Sequence, residues 1–514
     1  MGGRPQRLLT RELSLPPGVL LELAESLPAA YPVLFDSAST GPLSRHSILV
    51  AACGDALWVD REGRLGASGA AVRHTGGARG FFEALERWWR EASTGSPLES
   101  AGLPWCGGFA VFAGYELASE VEPTLRLPAA DLPYRAYALR VDGALVFDHA
   151  RGRLLALAEP GAAGAARLAR LEADAAACAL PQLAPQQSGV GALAGAGSGG
   201  GHSGRAGTSN RGAAVALDDL HEDDPAEFLE RVARVQEFIR AGDLYQANLS
   251  RGWSARLAPG SNAATIYRRL RTVNPAPFAV WSQWGGVDIL SSSPERLVRI
   301  EQRRVSTRPI AGTRPRVAGG ATQGEIGQGH SADGQVADGH FAHGDTAAAE
   351  ALVAHPKERA EHVMLIDLER NDLGRICEAG SIEVRDFMTV ETYAHVHHIV
   401  SEVAGRLRPE VSPVAALRAV FPGGTITGCP KVRCMQVIGM LEQRGRGAYT
   451  GSLGMLGLDG SADFNILIRT LTVVGDTVTL RAGAGIVADS VPERELEETR
   501  AKARGVLAAL GFAA

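Results

Sequence analysis

The sequence predicts an α+β fold in which helices alternate with antiparallel hairpins. Residues 448–484 have the pattern of three successive strands, with turns at Gly460 and at Gly475-Asp476. The helical segments lie between such hairpins, which favours α+β over a doubly wound parallel sheet. No G-x-G-x-x-G sequence follows a strand and no Walker A sequence occurs, so nucleotide binding is not indicated.

Length, charge and cysteine usage restrict the class of protein. The 514 residues accommodate two to four domains, and the contents of 45% hydrophobic and 21% charged residues are typical of soluble globular proteins. The net charge of −5 provides no attraction for nucleic acid, and no apolar run approaches the ~20 residues of a membrane helix. Pro16-Pro17 and Glu22 interrupt the short apolar stretch near the N-terminus, so we expect no signal peptide. Six cysteines without a C-x-x-C pair argue against zinc and disulfides and favour the cytoplasm.

Four further segments predict individual elements in chain order. Residues 228–241 have apolar side chains at helical spacing and end at Gly242, so they predict a helix. Residues 243–251 then read as a strand. Residues 287–300 alternate like a half-buried strand pair with a break at Ser293-Pro294, and residues 359–376 read as a helix.

Two stretches interrupt the globular composition. Residues 159–223 begin with an Ala/Leu/Arg helix-like segment and become Gly-rich, which predicts a flexible linker between an N-terminal region, 1–158, and a larger region, 224–514. Residues 317–346 are rich in Gly and His, and their composition favours a disordered surface insertion over a metal site.

Lysine is rare in this chain, and its positions are therefore informative. Only Lys357, Lys431 and Lys502 occur, while arginine supplies all other basic side chains except histidine. Lysine is a compact point charge and arginine a broad planar fork, so a tight site for a small anion can require lysine. Lys357 is assigned to the surface, whereas the sequences around Lys431 and Lys502 are unusual.

The first unusual segment is residues 482–502. A glycine-rich turn ends a strand and precedes a helix, for which Ser490 and Glu493 have capping-box spacing. Glycines at 483 and 485 let backbone N–H groups approach a ligand closely. Glu498 and Lys502 are four residues apart and share a helix face, as in an ordinary surface ion pair, but the preceding glycine turn favours a functional role.

Two more segments carry candidate chemistry. In residues 421–431 a Gly/Thr loop precedes a helix whose first turn contains Lys431, although acids are usually preferred there. This arrangement indicates an anion to be bound, with a simple turn-to-helix junction as the alternative. In residues 359–372 carboxylates lie on several helix faces, and Glu361 is a candidate Mg²⁺ ligand or part of a solvated acidic face.

Together these segments resemble the chorismate-utilising enzymes, which include anthranilate, aminodeoxychorismate, isochorismate and salicylate synthases. The resemblance covers 224 to the C-terminus without the insertion, and it implies two packed, largely antiparallel sheets with helices outside. Weaker N-terminal matches, among them Val33-Leu-Phe-Asp-Ser-Ala38 and Gly114-Tyr-Glu116, are typical of the two aminating members. Further matches are Gly242-Asp-Leu-Tyr-Gln-Ala-Asn-Leu-Ser250, Ser293-Pro-Glu295, Arg308-Pro-Ile-Ala-Gly-Thr-Arg-Pro-Arg316, His397-His-Ile-Val-Ser401 and Asp463-Phe-Asn-Ile-Leu-Ile-Arg-Thr470.

The resemblance also implies roles for particular residues around a Mg²⁺-bound chorismate dianion. Glu361 and Glu498 match the metal-holding pair, and Lys502 matches a lysine near the ring carboxylate. Glu295 matches a general acid beside the C4 hydroxyl, which needs a proton to leave. The remaining expected site residues are Arg469, Tyr449, Gly483 and Gly485 at the enolpyruvyl carboxylate, His398 and Thr425 at the ring, Lys431 as a second fixed cation, and Gln246 as a substrate-binding residue.

Two positions bear on which reaction is expected. Isochorismate and salicylate synthases have a water-activating lysine where this chain has Gln246, so amination is expected instead. Many aminodeoxychorismate synthases have a nucleophilic lysine at the position of Ala311, whereas anthranilate synthases have alanine there, as this chain does. The sum of the other segments nevertheless resembles aminodeoxychorismate synthase component I. We therefore predict Mg²⁺-dependent conversion of chorismate to 4-amino-4-deoxychorismate for p-aminobenzoate and folate synthesis, with anthranilate formation or a non-catalytic regulatory homologue as alternatives.

The expected partners follow from the same comparison. Cys106 lies in Trp105-Cys-Gly-Gly108 without the His-x-Glu that a glutaminase needs, so ammonia is expected from a separate glutamine amidotransferase subunit. The N-terminal region resembles the part that binds tryptophan in relatives, which makes tryptophan near Asp36-Ser37 a candidate partner.

Overall fold

The computed structural model describes residues 6–39, 43–94, 98–99, 102–183, 217–315, 354, 356–392 and 396–512. The predicted insertion, 317–346, and most of the Gly-rich part of the predicted linker lie outside these residues. Among the described residues, no helix has both the length and the apolar character needed to cross a membrane.

Strands dominate the described chain. They are β1 (Gln6–Arg7), β2 (Leu9–Leu13), β3 (Val33–Asp36), β4 (His46–Asp60), β5 (Leu65–Ser68), β6 (Leu98–Glu99), β7 (Gly108–Ala113), β8 (Tyr134–Asp148), β9 (Arg153–Ala158), β10 (Leu217–Glu222), β11 (Gln246–Leu257), β12 (Phe278–Trp284), β13 (Val287–Ser293), β14 (Arg296–Glu301), β15 (Arg304–Thr307), β16 (Ile310–Pro315), β17 (Glu383–Thr392), β18 (Val396–Arg406), β19 (Gly428–Cys429), β20 (Ser452–Leu456), β21 (Ala462–Asn465), β22 (Thr470–Val474) and β23 (Thr477–Ile486).

The helices cover the outside of these strands. They are α1 (Val19–Ser26), α2 (Phe81–Ser93), α3 (Ala118–Val121), α4 (Ala162–Leu183), α5 (Pro225–Arg240), α6 (Ala263–Val273), α7 (Pro356–Gly374), α8 (Pro413–Val420), α9 (Lys431–Glu442) and α10 (Pro492–Ala509). The predicted helices at 228–241 and 359–376 correspond to α5 and α7, whose bounds differ from the predictions by a few residues.

Two long strands, β4 and β8, join two antiparallel layers. The first layer has the order β10-β11-β23-β22-β13-β12-β3-β4-β8-β9-β2. The second runs β5-β4-β8-β7-β20-β21-β14-β15-β18, and β16 and β17 also pair with β18. The β4–β8 register shifts between Ala52 and Ala56, where Gly54 has φ +97°. Such an irregularity bends a strand pair, so each strand contributes to both layers.

One apolar cluster lies between the layers, and further clusters lie between the layers and the helices outside them. Side chains such as Val50, Tyr137, Ile289 and Leu453 pack between the layers. Helices α1, α4, α6 and α10 cover the outer face of the first layer. Helices α2, α7 and α8 cover the second layer. The α+β class and the two packed antiparallel layers are therefore confirmed.

The N-terminal region and the larger region share these sheets. Strand β3 pairs with β12, and β7 pairs with β20, so residues before 158 complete the layers formed by residues after 224. The predicted boundary consequently does not separate two independent cores, because the strand pairing between the regions is non-local.

Part of the predicted linker is ordered. Helix α4 lies within 159–223 and packs on α1, β8 and β9, and Leu171 and Ala175 are fully buried. The linker prediction is therefore wrong for this helix, because its alanines and leucines form one apolar face even though the overall composition is simple.

Residues 448–484, for which three strands were predicted, contain four strands, β20 to β23. The segment between the two predicted turns is divided into β21, which pairs with β14 and β20, and β22, which pairs with β13 and β23. The chain thus crosses from the second layer to the first between Asn465 and Thr470. Arg469 lies in this crossing with φ +51°, a left-handed conformation that is unfavourable for a side-chain-bearing residue.

We predict that Leu171→Ala lowers the free energy of unfolding by about 2–5 kcal/mol, because it leaves a cavity under α4. Urea unfolding measures the change. Ala173→Ser, on the exposed face of the same helix, is the control and should cost only about 0.5 kcal/mol. Equal, small effects of both substitutions would contradict the packing of α4.

Candidate active site

The pairing of β11 with β23 forms the floor of the candidate site. Asn248 is in register with Gly485, and Ser250 with Gly483. A Cβ atom at Gly485 would overlap the amide of Gln246, and one at Gly483 would lie 2.6 Å from the hydroxyl oxygen of Tyr449. Real Cβ atoms do not make such contacts, so the predicted glycines keep the backbone accessible between these polar groups.

Glu361 on α7 faces the same floor. The Gln246 Nε2 donates to Glu361 Oε1 at 3.0 Å. Burial raises the pKa of Glu361, the hydrogen bond from Gln246 lowers it, and the charges of Glu358 and Glu498 raise it further. Because the charges of Glu361 and Glu498 repel each other, a cation bound between them would be stabilised.

The floor and Glu361 line a recess. Lys502 and Glu498 lie on the side of this recess that is open to solvent. Lys502 Nζ is 2.7 Å from Glu498 Oε1 and donates to the carbonyl oxygen of Gly483 at 3.1 Å. Their side chains are 44% and 47% exposed. Loss of hydration lowers the pKa of Lys502, but Glu498, Tyr449 and Glu361 outweigh this effect, so the pKa is raised and the ammonium stays charged. A fixed cation is thus presented to any ligand in the recess.

Glu295 is a buried acid in the same recess. Glu295 comes two residues after the end of β13 in the chain and is 6% exposed. Thr425 Oγ1 donates to Glu295 Oε1 at 2.6 Å. Burial raises the pKa of Glu295 to about 7, although the Thr425 hydrogen bond and the charges of Lys502 and Arg469 oppose the shift. Glu295 can therefore hold a proton near neutral pH and release it.

Tyr449 and Arg469 complete the set of predicted substrate-binding residues. The Tyr449 hydroxyl lies 3.5 Å from Asn248 Oδ1, and its ring is buried. The unusual backbone of Arg469 is fixed by Ser292, whose N–H and hydroxyl both donate to the Arg469 carbonyl, at 3.1 and 3.2 Å. Arg469 and Lys502 both act electrostatically on Glu295, so the cations and the acid share one recess.

His398 lies on β18, a strand that packs against α7. It is 2% exposed and is in register with Glu391 on β17 and with Thr313 on β16. Ala311, also on β16, is paired with Ile399, the next residue of β18. The structure thus places the position that distinguishes the amination reactions beside the strand that carries His398.

The prediction for Lys431 is corrected. Its ammonium forms an ion pair with Asp372 and donates to the carbonyl oxygen of Val420 at 3.2 Å. The side chains of Lys431 and Asp372 are only 12% and 6% exposed. The sequence could not reveal that Asp372 of α7 neutralises this charge, so Lys431 joins α9 to α7 and does not supply a free cation. The predicted capping box is also wrong, because the Ser490 hydroxyl accepts from the N–H of Val487 and Val491 is the N-cap.

Two residues of the site escaped prediction. Glu369 is 5% exposed, and its Oε1 would lie 3.4 Å from a Cβ of Gly424, next to Thr425. Burial and the charge of Asp372 raise the pKa of Glu369 to about 8. Asn248 faces Tyr449 from β11. Asn248 could have been predicted because residues two apart in a strand, such as Gln246 and Asn248, point to the same face. Glu369 could have been predicted because it lies about two helical turns after Glu361 on the same side of the helix.

The donor set fits a magnesium ion. Glu361 and Glu498 are carboxylates whose charges act on each other in one recess. Among the described residues no group of three or more His, Cys, Asp or Glu side chains is arranged as a metal site. Mg²⁺ commonly uses one or two protein carboxylates and completes its shell with water and substrate oxygens, so a two-glutamate site is compatible with it.

A protein family and several known proteins match this chain. The family described as chorismate binding enzyme matches residues 59–508. Anthranilate synthase component 1 of Bacillus caldotenax is 37% identical over 440 residues, which cover 82% of this chain and 78% of that protein. An anthranilate synthase component I-like protein of Synechocystis is 44% identical over 289 residues, 56% of this chain, and the match spans about half of that relative, 55%.

A solved structure is similar over nearly the whole chain. The crystal structure of anthranilate synthase component I from Streptococcus pneumoniae superposes with a TM-score of 0.70 at 28% identity. The superposition covers 90% of this chain and 92% of the other.

We predict that Lys431→Met lowers the free energy of unfolding by about 3–5 kcal/mol, because it leaves Asp372 buried and unpaired. Lys502→Met should cost less than about 1 kcal/mol, because its pair is solvent-exposed. Urea unfolding measures both. The double variant Lys431→Met/Asp372→Leu should recover most of the loss, and a Lys431→Met variant as stable as Lys502→Met would refute the correction.

Proposed function

The chain belongs to the chorismate binding enzymes, and from that premise we propose that it converts chorismate and ammonia to anthranilate, pyruvate and water. The observation that carries the proposal is the buried acid Glu295, bonded to Thr425 and facing the cations Lys502 and Arg469. Such a recess combines a proton donor with the binding of a small dianion, which is the chemical character of chorismate.

Glu295 is proposed as the general acid. The C4 hydroxyl of chorismate leaves as water only if it receives a proton, and an acid with a pKa near the working pH serves this step best. The pKa of about 7 at Glu295 meets this requirement. Thr425 holds the carboxyl group in place and favours its charged form, which eases proton release.

The two carboxylates of chorismate are proposed to bind to two different groups of residues in the recess. Lys502, with Glu361 and Glu498 as the holders of Mg²⁺, would take the ring carboxylate. Arg469, Tyr449 and the backbone at Gly483 and Gly485 would take the enolpyruvyl carboxylate. When bound, Mg²⁺ supplies charge stabilisation at the ring carboxylate. His398 is assigned to the wall of the ring pocket.

Two residues support amination at C2. Gln246 donates its amide to Glu361 and cannot act as a base that activates water, so ammonia is the better supported nucleophile. Ala311 offers no nucleophilic side chain that could form a covalent intermediate at C2, so ammonia itself would add there. The relatives described above, which are named anthranilate synthase component 1, support the same choice.

A second candidate product is 4-amino-4-deoxychorismate, the precursor of p-aminobenzoate in folate synthesis. Several segments favour it by their resemblance to aminodeoxychorismate synthase component I, among them Tyr245-Gln-Ala-Asn-Leu-Ser250, Val396-His-His-Ile-Val400 and Phe421-Pro-Gly-Gly-Thr425. Both products need the same acid, cations and metal, so the two candidates differ in where nitrogen enters the ring.

Ammonia is proposed to come from a separate glutamine amidotransferase subunit. Cys106 is 2% exposed, and burial with the nearby Asp459 carboxylate raises the pKa of its thiol to about 12. A thiol that stays protonated is a poor nucleophile, so this cysteine is not a glutaminase residue.

Tryptophan remains a proposed ligand of the N-terminal region. A cavity of about 720 Å³ lies beside Asp36 and Ser37 and has Pro277 and Met455 in its wall. The carboxylate of Asp36 already accepts from Arg271 Nε at 2.8 Å. An amino-acid ammonium would therefore compete with Arg271 for this carboxylate.

The product decides the proposed function. Purified chain with chorismate, Mg²⁺ and ammonia should yield anthranilate, identified by its fluorescence and by chromatography with mass detection. Glu295→Gln is the control and should reduce turnover by about 10²-fold or more. Formation of 4-amino-4-deoxychorismate would support the second candidate, and absence of any aminated product would overturn both.

We predict that turnover is constant below about pH 7 and falls about tenfold per pH unit above it, because Glu295 must carry a proton. The assay holds the free NH₃ concentration constant at each pH. Thr425→Val should move this limb to higher pH, because it removes a hydrogen bond that favours the charged carboxylate. Thr427→Val is the matched control, because the Thr427 hydroxyl donates to the carbonyl oxygens of Gly423 and Gly424 and, among the described residues, not to a carboxylate. An unshifted limb in Thr425→Val would contradict the assignment.

A further inference from the structure

The Gly114-Tyr115-Glu116 sequence has no part in the chemistry above, yet it contacts the loop that leads to Tyr449. The Tyr115 N–H donates to the Gly447 carbonyl oxygen at 2.8 Å. The carboxylate of Glu116 accepts from the N–H of Arg446 at 2.6 Å and from that of Gly447 at 3.1 Å. A Cβ at Gly114 would lie 2.8 Å from the Arg135 carbonyl oxygen and 3.2 Å from that of Gly447, so the chain is most closely packed here against Arg135 and also approaches Gly447. The three residues therefore dock on one dipeptide.

The same dipeptide carries a fully buried cation. The guanidinium of Arg446 lies 4.9 Å from the ring centre of Tyr115 and 5.6 Å from that of Tyr449. It forms an ion pair with Glu442 at 2.7 Å, and both side chains are 1% exposed. A charge buried this completely must be fully bonded, which fixes its position.

Arg446 ties together three segments of the recess. Its guanidinium donates to the Asn248 carbonyl oxygen at 2.6 Å, to the Ile426 carbonyl oxygen at 3.3 Å and to Thr450 Oγ1 at 3.4 Å. Asn248 lies on β11, Ile426 follows Thr425, and Thr450 follows Tyr449. Each segment thus carries one side chain of the recess: Asn248 itself, Thr425 next to Ile426, and Tyr449 next to Thr450.

We propose that Tyr115 and Glu116 are positioning residues for the chorismate site. They hold Arg446, and through it they set the relative placement of Asn248, Thr425 and Tyr449. The N-terminal region, to which both belong, then serves catalysis in the larger region without touching the substrate. This inference rests on chorismate as the ligand of the recess.

The geometry also predicts which change is disruptive. Both carboxylate oxygens of Glu116 accept from backbone N–H groups. Burial raises its pKa to about 7, and the N–H groups of Arg446 and Gly447 oppose that shift by stabilising the charged form. In Glu116→Gln the amide NH₂ would point at a backbone N–H, so the loop must move.

Glu120 provides a matched control four residues away. Its carboxylate also accepts from two backbone N–H groups, those of Phe81 at 3.0 Å and Phe82 at 3.3 Å. Phe81 and Phe82 are the first two residues of α2, which covers the outer side of the second layer. Loss of either carboxylate costs stability, but only Glu116 is connected to Arg446.

The experiment compares Glu116→Gln with Glu120→Gln well below their melting temperatures. We expect the KM for chorismate to rise about tenfold in Glu116→Gln, the effect of losing one buried charge-assisted hydrogen bond. The kcat should change less than about threefold, and Glu120→Gln should keep the wild-type KM. Equal KM values in the two variants would overturn the inference.

A second pair of variants avoids dependence on the folding of Glu116→Gln. The Tyr115 hydroxyl has no hydrogen-bond partner among the described residues. Tyr115→Phe should therefore be neutral, whereas Tyr115→Leu removes the ring beside Arg446 and should raise the KM. If the two behave alike, the ring does not position Arg446.

Calorimetric binding of chorismate, with Mg²⁺ and without ammonia, separates this inference from the proposed reaction. Weaker binding in Glu116→Gln than in Glu120→Gln supports the positioning role even if the product is not anthranilate. Equal binding overturns that role while the proposed function stands. A wild-type chain that does not bind chorismate overturns both.

Discussion

The buried pair of Arg446 and Glu442 is the interaction on which the recess depends. Glu442 accepts from Nε and Nη2 of Arg446, from Arg481 and from the N–H and hydroxyl of Ser250. Burial raises the pKa of Glu442, but these cations and hydrogen bonds outweigh it, so the pKa is lowered and the carboxylate stays charged. Removing one partner of such a pair strands a charge in the interior and typically costs about 3–5 kcal/mol. The pair therefore fixes α9, β11 and β23 relative to the loop before Tyr449.

The electrostatics of the recess follow from a gradient of burial. Glu295 is nearly inaccessible, and burial raises its pKa to about 7, whereas the side chains of Glu498 and Lys502 are about half exposed to solvent. Glu361 lies between these extremes, bonded to Gln246. A dianion that enters from the solvent side meets fixed charges first and the proton donor last. This order suits a reaction in which a bound anion loses a hydroxyl group at the inner end of the site.

Local patterns in the sequence predicted much of the fold and the site, and non-local pairing accounts for what they did not predict. Helix α5 was predictable because its 3.6-residue apolar periodicity is local. The glycines at 483 and 485 and the carboxylates at 361 and 498 were identified by motif resemblance, and the structure places all four in one recess. The division of residues 461–474 into β21 and β22 was not predicted, because their partners belong to different layers. Lys431 was misassigned for the same reason, since its partner Asp372 is distant in the chain.

The proposed function depends most directly on a magnesium site that Glu361 and Glu498 form and that chorismate completes. Isothermal titration of Mg²⁺ into the chain with chorismate and without ammonia tests it directly. One Mg²⁺ should bind per chain, and binding should weaken markedly when chorismate is omitted, because the substrate supplies oxygen ligands. Glu361→Gln should abolish this binding while the melting temperature stays within a few degrees of the wild-type value. Unchanged Mg²⁺ affinity in Glu361→Gln, or affinity that is independent of chorismate, would contradict this magnesium site.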